Sequence, residues 1–422
     1  MRLGYCYRFV VLLIGLWSLI GLEPNALLAQ NRDTGDQLVD DQWSNQGDSQ
    51  AKSQTNKQSQ VRIDSRITLL TAAPGQGDVA AVFGHSALRV KGVNGAEDIL
   101  YNFGTYSWDQ PNFLMNFLRG RLLYSLSRQR YGPFLNAYHA EQRSITEQTL
   151  NLTAQQEATI ISALAKSYRA ENREYLYEFF FDNCTTRLRD IISEGYGGEM
   201  VWADSPARYT FRDLLHQYTE GDAWLTFGID LLVGSRTDRL ATQQEEMFLP
   251  DYLMHHLNTA KDLAGNPIVA SEYLVLDFNE VGQQRKQKGR HWPLYLFGVL
   301  FLIEVFIFFR VSRQERGSKS LLYWDRLWYF IVGIGGLILL IMWVLTDHYT
   351  TKGNWNILWL TPLFLGLLSK LRTSRIFNIV IIGSLLLCGV LYLLSGQSAN
   401  LAFFPMIGIG LLKVVRNLQH AK

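Results

Sequence analysis

Apolar residues are spaced in two ways along this chain. Between about residues 66 and 290 they come in short runs broken by polar residues and turns; from 292 onward they form long, nearly unbroken stretches. In the first region Arg66-Ile-Thr-Leu-Leu-Thr71 is a short β-like run. Phe83-Gly-His-Ser-Ala-Leu-Arg-Val90 alternates well enough for a strand, and Asp98-Ile-Leu-Tyr-Asn-Phe103 comes after the turn Lys91-Gly-Val-Asn-Gly95. The spacing therefore predicts a hairpin over 85–103. Segments 111–119 and 133–141 have helical spacing, and 121–128 and 143–152 read as strands. Thr153 with Gln156 forms a capping-box signature for a helix running to about Arg173. Tyr175-Leu-Tyr-Glu-Phe-Phe-Phe181 is strand-like, and Leu188, Ile191 and Ile192 give Thr185 to Ser193 helical spacing. The elements predict an α+β domain over 61–194, and 195–290 reads as a mostly helical extension.

The second region, 291–422, predicts a helical transmembrane domain of about five spans: 292–310, 327–346, 355–369, 376–395 and 400–415. The third and fifth are short against the roughly twenty residues a span needs. Arg310, Arg313, Arg316, Lys319 and Arg326 fall in one loop, Lys370, Arg372 and Arg375 in another, and Lys413, Arg416 and Lys422 in the tail. The positive-inside rule makes these loops and the C-terminus cytoplasmic and puts the earlier domain on the opposite, periplasmic side. Arg285, Lys286, Lys288 and Arg290 run against that rule and read as contacts to anionic headgroups.

At the N-terminus Arg2 and Arg8 precede the apolar run Phe9 to Leu22 and then Asn25-Ala-Leu-Leu-Ala29. This is the pattern of a secretory signal peptide over 1–29, with an uncleaved anchor helix as the alternative; either one exports the segment after it. Residues 30–60 are rich in Gln, Asp, Ser, Asn and Lys and predict a disordered linker. A net charge of +2 without a basic stripe argues against nucleic-acid binding.

Of three cysteines, Cys6 lies in the signal segment and Cys388 in a predicted span, leaving Cys184 alone in the exported domain. Unpaired thiols are unusual in an oxidising compartment. Cys184 falls where a strand passes to a helix, and a helix N-terminus beside an imidazole is a common way to lower a thiol pKa. His85 would supply the imidazole and Asn102, on the neighbouring strand of the hairpin, would orient it. The plainer readings are a small buried hydrophobe for Cys184, a satisfied strand histidine for His85, and a turn or edge residue for Asn102.

Gly84-His85-Ser86 on a strand, then Asn183-Cys184 at a helix start, resembles a circularly permuted papain-like (NlpC/P60) domain of the group that includes lecithin:retinol acyltransferase-like proteins. Phe83–Val90, Tyr101-Asn-Phe-Gly104, Phe181-Asp-Asn-Cys-Thr-Thr186, Trp224-Leu-Thr-Phe-Gly228, Phe248-Leu-Pro250 and Asn354-Trp-Asn-Ile-Leu-Trp359, with the membrane tail, resemble the Lnb family of Bacteroidota. The resemblance implies a thiol acyltransferase of the inner membrane. Cys184 and His85 would be its catalytic pair, membrane phospholipid its acyl donor and a diacylated lipoprotein its acceptor. The third catalytic member is open, since permuted papain-like enzymes often carry a second histidine where this chain offers Asn102.

His348, Asn354 and Asn356, in a loop on the predicted periplasmic side, would meet the lipid substrate at the leaflet surface; the plainer reading is a polar interfacial loop anchored by Trp355. Arg187 reads as a solvated helix face or a phosphate contact. His255-His256 lacks partners at metal-ligand spacing and reads as helical surface, so no metal and no cofactor is expected. A cysteine peptidase or amidase acting on cell-wall peptides, and a non-catalytic membrane scaffold, are the alternatives.

Overall fold

A computed structural model describes residues 66–75, 81–92, 96–107, 109–280, 291–310, 318–419 and 421. The expected signal peptide and linker, and Arg285, Lys286, Lys288, Arg290, Arg313, Arg316 and Lys422, lie outside the described residues. The chain divides into two compact units. One comprises residues up to Leu114 with Arg121–Arg208 and Ala241–Lys286; the other comprises Met115–Gly120, Tyr209–Leu240 and Gln287–Lys422.

The first unit is built on an antiparallel sheet. Its strands are β1 (Ile67–Ala72), β2 (His85–Val90), β3 (Ile99–Thr105), β4 (Leu123–Arg130), β5 (Ile145–Leu150) and β6 (Glu174–Leu176), with β9 (Val269–Leu276) added at the far edge; β7 (Met200–Val201) and β8 (Lys261–Asp262) form a separate small ribbon. The order β6-β4-β3-β2-β1-β5-β9 places the expected hairpin, β2 with β3, near the centre. Residues alternate between two buried faces, as period-2 spacing requires. Leu69, Leu88, Val90, Tyr101 and Phe103 pack on Ile160 and Leu164 of the helix Ala154–Tyr168 and on Leu188 and Ile192 of the helix Cys184–Gly195. Leu70, Ala72, Ala87 and Leu100 pack on Phe134 and Tyr138 of the helix Tyr131–Ala140. With both faces covered, this sheet holds its strand ends in fixed positions.

The sequence expectation differs from the structure just before Cys184. Strand β6 stops at Leu176, and residues 178–182 form a tight loop instead of continuing to Phe181. The cause is local: the Glu178 carboxylate accepts hydrogen bonds from the Phe180 and Phe181 N–H groups at 2.9 and 2.8 Å, and Glu178 and Asp182 exchange backbone bonds. Such side-chain-to-backbone bonds compete with a sheet ladder.

Residues 195–290, expected as one helical bridge, are shared between the units. The stretch 209–240, with helices Phe211–Thr219 and Ala223–Leu232, clusters with the second unit, while β9 belongs to the first. His256 also departs from the expected helical surface. It is buried and its Nε2 pairs with Glu246 at 2.6 Å, leaving only His255 exposed.

In the second unit three helices are long and apolar enough to cross a membrane: Trp292–Arg310, Lys319–Val344 and Arg375–Leu394. Three of the expected five spans are thus met by helices of that length and composition among the described residues. The expected third, 355–369, is instead two short 3-10 turns, Trp355–Leu358 and Pro362–Leu368, because Asn354 and Thr361 cap each turn and Pro362 starts the second. The expected fifth is the 16-residue helix Phe403–Leu418, in which Lys413 and Arg416 are buried. The second span begins at Lys319, earlier than expected, so Arg326 lies within it rather than in a loop. Gly336 lets the turn segment pack close: a Cβ there would meet the Leu360 carbonyl oxygen at 1.8 Å.

Candidate active site

The start of the helix Cys184–Gly195 is fixed by Asn183. Its Oδ1 accepts from the Thr185 and Thr186 N–H groups, both at 2.9 Å, while the Thr186 hydroxyl accepts from the Asn183 N–H at 2.8 Å. This capping box, worth about 1 kcal/mol, is itself locked. Asn183 Nδ2 donates to the Phe179 and Phe248 carbonyls at 2.9 and 2.8 Å. The Phe248-Leu-Pro250 segment therefore serves the thiol indirectly. Phe248 holds Asn183, and Pro250 lies 3.4 Å from where a Cβ on Gly84 would fall. Because the cap occupies the amides of the second and third helical residues, the Cys184 N–H is the first-turn donor left for another acceptor.

His85 opens β2, preceded by Gly84 at φ +79°, where a side chain would meet the Ala72 carbonyl at 2.8 Å. Leu88 pairs with Tyr101, so His85 and Asn102 are diagonal neighbours on adjacent strands. His85 Nε2 lies 2.5 Å from Asn102 Oδ1. An amide oxygen only accepts, so Nε2 carries the proton and Nδ1 remains for the thiol. Asn102 is buried, and Gly104, two residues on at φ +89°, clears the space beside the thiol: a Cβ there would lie 3.3 Å from the Cys184 Cβ.

The electrostatics agree with this wiring. Burial would push the half-buried Cys184 thiol up, but the His85 charge and hydrogen bond, helped by Thr185 and the Ser86 N–H, outweigh it and lower the thiol pKa below its ordinary value. Burial likewise would lower the His85 pKa, and the facing sulfur together with Asn102 raises it. Both shifts favour the thiolate–imidazolium pair.

The other expected site residues are engaged elsewhere in their own units. Arg187 comes after Cys184 by less than one helical turn, yet its guanidinium is held by Asp182 at 2.5 and 2.8 Å and lies 3.6 Å over the Tyr175 ring. His348, Asn354 and Asn356 belong to the second unit. His348 Nε2 donates to the Phe117 carbonyl at 3.1 Å, and burial lowers its pKa despite that bond. Asn354 and Asn356 are buried rather than offered at a surface. Asn354 Nδ2 donates to the Leu231 and Leu232 carbonyls and Asn356 Nδ2 to those of Asp230 and Leu231, at 2.8 to 3.1 Å. The two amides thus satisfy the last carbonyls of the helix Ala223–Leu232, which have no partner within the helix itself.

A family model described as the Lnb N-terminal periplasmic domain matches residues 53–217, and one described as the Lnb transmembrane domain matches residues 285–422. The chain belongs to the Lnb family. It is a membrane protein with a periplasmic portion. Curated proteins and solved structures gave no match. Both Lnb matches leave out 218–284, which holds the helix Ala223–Leu232 and the Phe248 segment that supports Asn183.

The sequence motif Tyr101-Asn-Phe-Gly104 includes Gly104 but does not reveal its role beside the thiol, nor the division of labour among the first-turn amides. A glycine two residues past Asn102 was the available sign of a close approach. Sequence reasoning also passed over a buried charge cluster in the second unit, formed by Glu304, Asp325, Lys413 and Arg416. Glu304, a lone acid within an apolar run, was the signal there.

Proposed function

We propose that the chain is a thiol acyltransferase that moves an acyl group from membrane phospholipid, through a thioester on Cys184, to the N-terminal amine of a diacylated lipoprotein. The observation that carries this reading is the Asn102–His85–Cys184 relay at a helix start, in a chain whose family joins that domain to a membrane domain. The order of histidine strand before cysteine helix also supports a permuted papain-like fold for the domain.

In the first step the Cys184 thiolate attacks an ester carbonyl of the phospholipid. The S–C bond forms, the ester C–O bond breaks, and the His85 imidazolium gives its proton to the departing lysophospholipid oxygen. The Cys184 N–H, left out of the Asn183 cap, is the backbone donor suited to the oxyanion. In the second step the acceptor amine attacks the thioester, neutral His85 takes its proton, and the thiolate is regenerated. Both substrates are embedded in lipid, so a domain tethered by apolar helices gains proximity to them. The basic residues Arg310, Lys370, Arg372 and Arg375 support a cytoplasmic C-terminus and an inner-membrane location.

The test is mass spectrometry of lipoprotein N-termini from cells in which this chain is the sole source of the activity. Triacylated termini are expected with the wild type and only diacylated termini with Cys184→Ala; triacylation by Cys184→Ala sinks the scheme. Activity that persists in detergent without phospholipid would point to a peptidase or amidase.

A further inference from the structure

Strand β3 serves the thiol at alternate positions. Asn102 bonds His85, and Gly104 clears the space beside Cys184. The pairing of β3 with β4 slips in register between Asn102 and Thr105, and such an irregularity re-aims the residues beyond it. The next residue, Tyr106, lies 5.2 Å from Tyr124, ring centroid to centroid. Tyr124 in turn stacks on Tyr177 at 4.2 Å with their planes 24° apart, and Phe113 lies 6.0 Å from Tyr106. Tyr124, Tyr177 and Cys184 pack against the same core cluster. The rings thus form a continuous series from Tyr177, which packs on the core cluster that Cys184 also packs on, to Phe113.

Their exposure separates these rings from ordinary core aromatics. Phe103 and Tyr175, on the same strands or the next, are 2% and 6% exposed, whereas Tyr177, Tyr124, Tyr106 and Phe113 are all half-buried. Each is only partly withdrawn from water. An acyl group esterified to Cys184 has its carbonyl fixed at the sulfur, and its alkyl chain gains by covering such surface.

We propose that Tyr177, Tyr124, Tyr106 and Phe113 form the seat of the alkyl chain of the Cys184-bound acyl group, and that the far end of this lane sets the chain length used. The proposal rests on the acyl-transfer reading and specifies where its lipid substrate lies. Tyr177 and Tyr124 hold the methylenes nearest the thioester, and Tyr106 and Phe113 meet the terminal ones.

The full chain is reconstituted in vesicles of phosphatidylethanolamine and phosphatidylglycerol carrying either only lauroyl or only oleoyl chains. Acyl-Cys184 is read by mass spectrometry, and thermal melting reports folding of each variant. Tyr106→Trp, which adds bulk at the far end, is expected to lower acylation from oleoyl lipid relative to lauroyl lipid by about tenfold or more. Phe113→Ala, which removes bulk there, shifts the ratio the other way and answers the question if Tyr106→Trp does not fold. An unchanged ratio in the folded variants, or equal loss with both lipids, overturns the lane. Absence of acyl-Cys184 in the wild type with either lipid overturns the acyl-transfer reading and the lane with it; acyl-Cys184 with an unmoved chain preference overturns the lane alone.

Discussion

Two regions of this molecule bury opposite charges, and they do so for opposite ends. In the membrane unit Glu304 and Asp325 face Lys413 and Arg416 at 2.5 to 2.8 Å, and each charge touches both charges of the other sign. All four are nearly inaccessible, and Trp324 donates a further hydrogen bond to Glu304 at 3.0 Å. In the periplasmic unit the Cys184 thiol and the His85 imidazole, whose shifts favour the charged pair, are only half-buried, with Asn102 on the far side of the ring. A charge with two opposite partners and no exposed face has nothing left to offer a substrate. A charge with one partner and an open side does. On the proposed reading, burial and ion pairing alone therefore do not distinguish a holding cluster from a reacting one; completeness of satisfaction does.

The first way to break the comparison is to remove the open charge. Cys184→Ala is expected to reduce lipoprotein N-acylation at least about a thousandfold, as loss of a nucleophile does, with the thermal midpoint nearly unmoved, since a half-buried thiol contributes little packing. Removing one closed charge does the reverse. Glu304→Gln leaves two cations facing one carboxylate and is expected to destabilise the chain by about 3–5 kcal/mol, measured by unfolding in detergent. Replacing Glu304 and Lys413 together by leucine preserves neutrality and is expected to recover most of that loss. Equal destabilisation by the single and double variants would show that charge balance is not what the quartet supplies.

Asn102→Ala tests the one-sided support of His85. The imidazole loses its orienting acceptor while the thiol keeps its helix start, so acyl transfer is expected to fall by about tenfold to a hundredfold, less than for His85→Ala. Parity between the two variants would mean that Asn102 does more than orient.

The pH dependence of Cys184 alkylation sharpens the contrast further. The thiol is held below its ordinary value of 9.0 chiefly by His85, so the alkylation midpoint is expected below that value, and His85→Asn, which leaves only Thr185 and the Ser86 N–H to oppose burial, moves it upward. The same shifts link to stability. The lowered Cys184 contributes fully above the ordinary thiol value and loses that contribution as pH falls through its folded value. The raised His85 contributes fully below its ordinary 6.5 and loses that contribution as pH rises through its folded value. A Cys184 midpoint unmoved by His85→Asn would dissolve the pair.

How much of this is legible in the sequence depends on which interactions are local. The β2–β3 hairpin, the Thr153–Gln156 capping box and the helix after Cys184 are written in residues a few positions apart, and all are observed. His85 and Asn102 come together because a hairpin is itself local. The loop 178–182 reads as strand because Phe179, Phe180 and Phe181 have strand propensity, which the Glu178 carboxylate overrides. The stretch 355–369 reads as a span from its apolar content, whereas Asn354, Thr361 and Pro362 break it into turns. Least legible are the contacts between distant positions. Nothing near Asn354 and Asn356 announces that they satisfy carbonyls more than a hundred residues earlier. Nothing near Phe248 announces that its carbonyl steadies the residue before the thiol.

The smallest expected effect concerns Arg187, a charge between the two extremes. It sits close after Cys184 on the same helix, a natural place for a phosphate ligand. Its guanidinium is nonetheless engaged twice by Asp182 and covered on one face by Tyr175. Side-chain exposures of 28% and 38% for Arg187 and Asp182 make this a solvent-screened pair, worth about 1 kcal/mol or less. Arg187→Gln is therefore expected to lower stability by no more than that and to change the KM for phospholipid by less than about twofold, because a guanidinium already bidentate to a carboxylate has little to give a phosphate. A rise in KM of about tenfold at unchanged kcat would show that Arg187 exchanges Asp182 for the donor's phosphate. The open side of the site would then extend one helical turn beyond the thiol.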